Sequence, residues 1–180
     1  MQAVVIDLAC GNHKRLPTAV GIDTAALPGV DVVADLSTAI PLRSSSVDEI
    51  LCSHYLEHVD DLRAIMAECH RVLNPGGLLK IWVPHCFSPI AFGDSTHRRF
   101  FTFETFRQFD ASHPKGYYYS FHFEFLRSRM QLYRNWYKPN PLERLLERLI
   151  NLGQRNGERL LKCLPYKDWE VYTELRKPCA

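Results

Sequence analysis

Two acidic residues and a turn of small residues lie close together near the start of the sequence and could bind a nucleoside. Asp7 ends a short apolar run and is followed by the small residues Ala9, Cys10 and Gly11. A turn of this kind lets the backbone approach a ligand closely. Twelve residues after Gly11, Asp23 closes a second apolar run, and an acid in that position can bond ribose hydroxyl groups. The pattern predicts a nucleoside site.

Three histidines could act as general bases. His54 is expected at the end of a fourth strand, His85 at the end of a fifth, and His97 in a polar stretch of an aromatic segment. Histidine titrates near neutral pH, so each could accept a proton from a hydroxyl or a protonated amine. A purely structural role is the alternative for each one. The same polar stretch is the expected place of substrate recognition, through Asp94, Arg98 and Arg99.

The stretch from His54 to His58 also spells H-x-x-E-H, the inverted form of a zinc-peptidase motif. That motif needs both histidines on one face of a helix, with a third ligand elsewhere. Because His54 is predicted to end a strand, the two histidines do not share a helix. No metal site is therefore predicted.

Alternating apolar runs and turn signals predict the elements that position these residues. Strands are expected at about 4–6, 19–23, 30–34, 47–54 and 78–83. Asp60 or Asp61 should cap a helix with an apolar stripe from Leu62 to Leu73, whereas Pro17 leaves little room for a helix after the first strand. Parallel strands joined by right-handed crossovers bind ligands at their carboxyl ends, where the candidate residues fall.

These motifs resemble those of the class I S-adenosylmethionine (SAM)-dependent methyltransferases. In that class an apolar strand leads into an acid and a G-x-G turn, with later blocks of the form D-x-I-x-x-x-x-x-L-E-H and R-x-L-x-P-G-G. Residues 48–58 and 71–77 match the later blocks, and Ala9 replaces the first glycine of the turn. A dinucleotide fingerprint fails at two of its three glycines. The resemblance covers residues 3–85, in a small subgroup without N-terminal lid helices.

The resemblance implies SAM as the cofactor, held by residues at the strand ends. The implied contacts are Asp7, Ala9, Cys10, Gly11, Asn12, Asp23, Thr24, Asp35, Leu36 and Ser53. Asp35 would face the adenine amino group, and a turn or cap aspartate is its alternative. The implied fold is α/β, doubly wound, with a mostly parallel seven-stranded sheet.

One domain is expected across residues 1–180, with a SAM-binding half (1–85) and a substrate or lid half (86–180). A helical insertion at about 140–163 should lie between the last two strands. Its leucine stripe could form a lid or lie on a membrane surface. The front half carries 6 basic and 10 acidic residues and the back half 16 and 10, which favours an anionic substrate or surface, or simply a solvated basic face.

Composition points to a cytoplasmic protein. Six scattered cysteines without a C-x-x-C pair predict reduced thiols, no apolar run approaches the roughly 18–20 residues of a membrane span, and no cationic leader precedes the first strand. The predicted activity is methyl transfer to an oxygen or nitrogen of a small molecule, glycan or lipid-linked precursor. Nucleic acid is disfavoured because no Pro-Cys loop or Asn/Asp-Pro-Pro-Tyr motif is present. The alternative is a non-catalytic scaffold with a degenerate first motif.

Overall fold

The computed structural model describes residues 3–132, 140–153, 157–159 and 168–179. Seven strands within these residues form one sheet: β1 (Val5–Leu8), β2 (Val20–Asp23), β3 (Val32–Val33), β4 (Val47–Ser53), β5 (Leu73–Pro84), β6 (Glu124–Leu132) and β7 (Trp169–Arg176). Their order is β3-β2-β1-β4-β5-β7-β6. The first five strands pair in parallel, and β7 runs antiparallel to β5 and β6. The sheet is therefore mostly parallel with an antiparallel end.

Helical segments in the described residues are few and mostly short. They are α1 (Leu62–Val72), α2 (Pro89–Gly93), α3 (Pro141–Asn151), the 3-10 helices Thr105–Phe109 and Gly116–Tyr118, and a helical stretch at 157–159. Loops alone connect β1 to β2, β2 to β3 and β3 to β4. Pro17 accounts for the lack of a helix between β1 and β2. The doubly wound fold had also implied crossover helices between β2 and β3 and between β3 and β4, and the described residues form loops there.

Helix α1 is the crossover that the sequence specified best. The Oδ1 atom of Asp61 accepts hydrogen bonds from the backbone amides of Arg63 (2.8 Å) and Ala64 (3.1 Å), which caps the helix. A buried stripe faces the sheet and consists of Ile65, Met66, Cys69 and Val72. The helix ends one residue before Leu73, which is already extended, so β5 begins five residues earlier than predicted and contains the Asn-Pro-Gly-Gly run.

The aromatic segment after β5 packs into the same core as the parallel strands. Phe101, Phe106, Phe109 and Phe123 are each at most 1% exposed, and the rings of Phe101 and Phe106 stack with centroids 5.3 Å apart. The backbone amides of Arg98 and Arg99 bond the carbonyl of Glu57 at 2.7 and 3.1 Å. These contacts fix the loop that carries His97 against the segment after β4.

Helix α3 buries two acidic side chains. A capping box with Asn140 starts the helix, and its buried residues are Glu143, Glu147 and Ile150. The Oε1 atom of Glu147 accepts a hydrogen bond from the amide of Leu132 at 2.7 Å, so this acid completes the backbone pairing at the end of β6. The leucines at 142, 145, 149 and 152 are instead exposed. The expected insertion continued to residue 163, which lies outside the described residues.

No helix among the described residues combines the length and the apolar character that crossing a membrane requires.

Candidate functional site

A cavity of about 630 Å³ opens at the carboxyl ends of the first four strands, and we call it the main cavity. Five of the ten predicted cofactor residues line it: Ala9, Asp23, Thr24, Asp35 and Leu36. The other walls come from the segment after β4 and from α1, including the apolar side chains of Val59 and Ile65. The volume lies within the range of pockets that bind small molecules.

Asp23 links the turn after β1 to the main cavity. Its Oδ2 atom accepts a hydrogen bond from the amide of Gly11 at 2.9 Å, and its Oδ1 atom accepts one from the amide of Ala25 at 3.0 Å. Each carboxylate oxygen keeps a further lone pair. A Cβ atom at Gly11 would meet no atom within 4 Å, so the backbone of the turn borders open space.

The remaining predicted cofactor residues support the turn or lie beside it and do not line the main cavity. Asp7 is buried, and its Oδ2 atom accepts a hydrogen bond from the amide of Arg15 at 2.5 Å. Burial raises the pKa of Asp7, although the bond from Arg15 opposes that shift. The thiol of Cys10 lies 3.6 Å from the carbonyls of Gly11 and Gly29. Asn12 is exposed, and Ser53 is a half-buried strand residue paired with β5.

Asp35 forms a turn, which is the alternative role predicted for it from the sequence, and it also lies on the wall of the main cavity. Its Oδ1 atom accepts a hydrogen bond from the amide of Ser37 at 2.9 Å, which forms a tight turn after β3. The bonds from Ser37 hold the pKa of Asp35 below its usual value, so the side chain is ionised. The same residue lines the main cavity.

Ala9 adopts a backbone conformation that favours glycine. Its φ angle is +52°, in the left-handed region, where a Cβ atom costs roughly 1–2 kcal/mol. The class I turn has glycine at this position, which is consistent with the geometry.

We expect the Ala9→Gly substitution to stabilise the fold by about 1 kcal/mol, because it removes this strain at a smaller entropic cost. Thermal unfolding should shift upward by about 2–4 °C. Ala67→Gly in α1 is the matched control and should instead destabilise the fold by about 1 kcal/mol. An Ala9→Gly variant less stable than the parent chain would contradict the assignment of strain.

His54 directly follows β4 and lies between two buried acids. Its Nδ1 atom is 3.1 Å from Oε1 of Glu57 and its Nε2 atom is 3.0 Å from Oε2 of Glu170. Burial alone would lower the pKa of His54, but the bonds to Glu170 and Glu57 outweigh it and raise the pKa to about 9. At neutral pH the ring is therefore an imidazolium that donates two hydrogen bonds. This charge state does not suit the predicted role of a general base.

His85 is a structural residue in this geometry. Its side chain is fully buried, its Nδ1 atom accepts a hydrogen bond from the amide of Phe87 at 3.1 Å, and its Nε2 atom lies 3.4 Å from Oε1 of Glu158. Burial lowers the pKa of His85 although Glu158 opposes the shift. His85 lines neither the main cavity nor the second cavity described next.

A second cavity of about 450 Å³ shares His54 and His58 with the main cavity. Its other lining residues are Glu57, Ile90, Gly93, Asp94 and His97. The structure thus places His97 and Asp94, two of the residues predicted for catalysis and substrate recognition, in one cavity beside the first. Shared walls put a ligand of one cavity next to a ligand of the other.

The predicted substrate residues Arg98 and Arg99 hold the segment after β4. The guanidinium of Arg98 pairs with the carboxylate of Asp60. The guanidinium of Arg99 donates to the carbonyls of Val59 (3.0 Å) and Asp60. These arginines shape the edge of the main cavity, and their side chains do not line the second one.

Sequence reasoning missed Glu57 and Glu170 as site residues. Glu57 belongs to the motif block at residues 48–58, and its position there could have indicated a role at the site. Glu170 belongs to an alternating strand pattern 116 positions from His54, and that pattern carries no sign of a role at the site.

The seven-stranded sheet has the Rossmann-like fold of the class I methyltransferases, and solved structures with this fold superpose on 97–98% of the chain. A SAM-dependent methyltransferase from Archaeoglobus fulgidus matches with a TM-score of 0.62 and 18% identity, over 97% of this chain and 86% of the other. A Haloferax volcanii protein in complex with the methyltransferase activator Trm112 matches with a TM-score of 0.61 and 13% identity, over 98% and 83%. At these identities the similarity shows the fold.

Sequence comparison places the N-terminal part of the chain in a family. The family described as "Methyltransferase domain" matches residues 2–81. A Mycolicibacterium smegmatis protein described as a probable S-adenosylmethionine-dependent methyltransferase is 36% identical over 67 residues, which are 36% of this chain and 26% of the relative. The chain thus spans about a quarter of that curated relative. These matches agree with the resemblance to class I SAM-dependent methyltransferases that the sequence motifs indicated, and the cofactor of that class is SAM.

Proposed function

We propose that this protein transfers the methyl group of SAM to an oxygen or nitrogen atom of an acceptor bound in the second cavity. The observation that carries the proposal is the pair of adjoining cavities with His54 and His58 as shared walls. The main cavity has the polar and apolar groups that SAM requires. These are the carboxylates of Asp23 and Asp35 and an apolar wall that includes Val59 and Ile65.

Bound SAM supplies a methyl group on a sulfonium, which a nucleophile displaces in line. The contribution of the protein is then positioning, for which effective molarities can be very large. The charged His54, held by Glu57 and Glu170, fixes the wall between the two cavities.

The size and lining of the second cavity support the proposed acceptor class. About 450 Å³ holds a small molecule or the reactive end of a larger one, and Asp94 and His97 offer it polar contacts. A small metabolite, a glycan terminus or a lipid-linked precursor fits this description. We place the protein in the cytoplasm, in keeping with its scattered cysteines.

The rival function is a non-catalytic binding protein that has kept the fold. The strained Ala9 favours it, because the residue that replaces glycine stands on the wall of the main cavity. SAM affinity separates the two functions.

Titration with SAM and S-adenosylhomocysteine, with NAD as a control, tests the proposal by calorimetry and thermal shift. At about 100 times its dissociation constant, either SAM ligand should stabilise the fold by about 2.7 kcal/mol. NAD should give no shift, because the dinucleotide fingerprint is incomplete. A folded protein that neither SAM ligand stabilises would contradict the enzyme proposal and support the scaffold. A positive result leads to an acceptor screen with isotopically labelled SAM.

A further inference from the structure

Three side chains in the second cavity present possible metal ligands to one another. Glu57, His58 and His97 each place one ligand atom within 4.8 Å of a ligand atom of the other two. Glu57 is buried, and the side chain of His97 is only 6% exposed. The rings of His58 and His97 meet edge to face, with centroids 4.7 Å apart. The cluster is thus largely withdrawn from bulk water.

The hydrogen bonds of His58 and His97 leave the Nε2 atom of each ring available. The Nδ1 atom of His97 lies 3.0 Å from the carbonyl of Ala91, which can only accept, so this nitrogen carries the proton. The Oγ1 atom of Thr96 donates to Asp94 at 2.6 Å and therefore accepts from Nδ1 of His58 at 2.8 Å. In their neutral forms both rings then keep an Nε2 lone pair. Outer hydrogen bonds of this kind orient metal-binding histidines in proteins.

The carboxylate of Glu57 provides an observation that is independent of the two histidines. Its Oε1 atom pairs with Nδ1 of His54, but its Oε2 atom is buried and has no hydrogen-bond partner among the described residues. An unpartnered buried carboxylate oxygen costs free energy unless a cation or a donor satisfies it. This oxygen belongs to the same side chain that completes the histidine pair.

We propose that Glu57, His58 and His97 bind one divalent first-row transition-metal ion of the Zn²⁺ type in the second cavity. Two imidazoles and one carboxylate form a set that such ions prefer, and three protein ligands leave a position for a water or substrate oxygen. Asp94 stands at the mouth of the site, with Oδ2 4.0 Å from Nε2 of His97.

The proposed site differs from the H-x-x-E-H motif that the sequence contains. In that motif His54 would be a ligand, but both of its ring nitrogens already face carboxylates. His97, about 40 residues away in the chain, replaces it. Tetrahedral ligands at bonds of about 2.1 Å stand about 3.4 Å apart, so an ion would draw the widest pair together by a little over an ångström. Small side-chain rotations achieve this.

A metal ion at this site would also assist methyl transfer, an inference that rests on the proposed function. A hydroxyl group that binds a divalent ion loses its proton more readily, so the ion would activate an acceptor oxygen in the second cavity. Metal binding itself does not depend on methyl transfer.

The test is metal binding by the untagged full chain after chelator treatment. Titration with ZnCl₂ by calorimetry and with CoCl₂ by visible absorbance should show one ion per chain. The cobalt spectrum should show bands typical of nitrogen and oxygen ligands. An intense thiolate-to-cobalt charge-transfer band would overturn the proposal, because it would place the ion at cysteines. Absence of stoichiometric binding would overturn it as well.

Substitutions of the proposed ligands test where the ion binds. His97→Gln and His58→Gln should each weaken Zn²⁺ binding by about tenfold or more, whereas His13→Gln, at an exposed histidine, should leave it unchanged. Circular dichroism checks that each variant is folded, and the cobalt spectrum of the parent chain decides the question if neither variant folds. Zn²⁺ binding that survives both substitutions would overturn the proposal. SAM titration of the parent chain reports separately on the proposed function, since Glu57 and His97 do not line the main cavity.

Discussion

The Asp23→Asn substitution is expected to weaken the binding of S-adenosylhomocysteine by about 10- to 100-fold. Asp23 lines the main cavity at the end of β2, where an acid of this fold bonds the ribose hydroxyls. Hydrogen bonds to a charged group contribute about 1.5–3 kcal/mol, and each 1.4 kcal/mol corresponds to a factor of ten in affinity. The asparagine keeps the size of the side chain and one oxygen that can accept from a backbone amide. Calorimetric titration measures the change directly.

Asp31→Asn is the matched control for this prediction. Like Asp23, Asp31 accepts a hydrogen bond from a backbone amide, in this case that of Gly21 in β2 at 2.7 Å. Its carboxylate also pairs with the ammonium of Lys14 at 2.8 Å. It does not line the main cavity, so its substitution should change the affinity by less than about twofold even if it costs some stability. Equal affinities for the Asp23→Asn variant and the parent chain would contradict the ribose role. Equal losses in both variants would show that the effect comes from the fold.

The position of the main cavity could be predicted because it depends on local patterns and one general rule. Apolar runs that end in Asp7, Asp23 and Asp35 mark strand ends, and parallel strands bring their carboxyl ends to one edge of a sheet. The same rule placed His54 at that edge. An aspartate cap for α1, at 60 or 61, followed from helix chemistry that acts within three residues, and the structure has Asp61 in that place.

Contacts between distant parts of the chain could not be predicted in this way. Glu170 reaches His54 only because β7 inserts between β5 and β6, and this pairing fixes which strand residues face the site. Glu147 on α3 is buried because the end of β6 offers an amide that needs an acceptor, a reason that the helical pattern does not contain. Half of the implied cofactor residues lie in the predicted turn or strand but do not line the cavity.

The largest loss of stability is expected from His54→Ala, which should cost about 3–5 kcal/mol at neutral pH. Glu57 is 1% exposed and Glu170 is 2% exposed, and the imidazolium of His54 is the cation that faces both. Removal of one partner from a buried charged cluster leaves uncompensated charge in a poorly solvated place. Here two carboxylates would also repel each other. Denaturant unfolding measures the loss, in buffer with a chelator so that a metal ion at Glu57 cannot replace the missing charge.

A second substitution separates charge from packing. In the His54→Ala/Glu170→Gln double variant only one buried carboxylate remains, so at least about 1 kcal/mol of the lost stability should return, and the double-mutant cycle should show coupling between the two positions. His13→Ala, at an exposed histidine, should change stability by less than about 0.5 kcal/mol. If the double variant were less stable than His54→Ala alone, the loss would come from the cavity that the missing ring leaves. His54 would then be a packing residue, and its charge would not be what holds the wall between the two cavities.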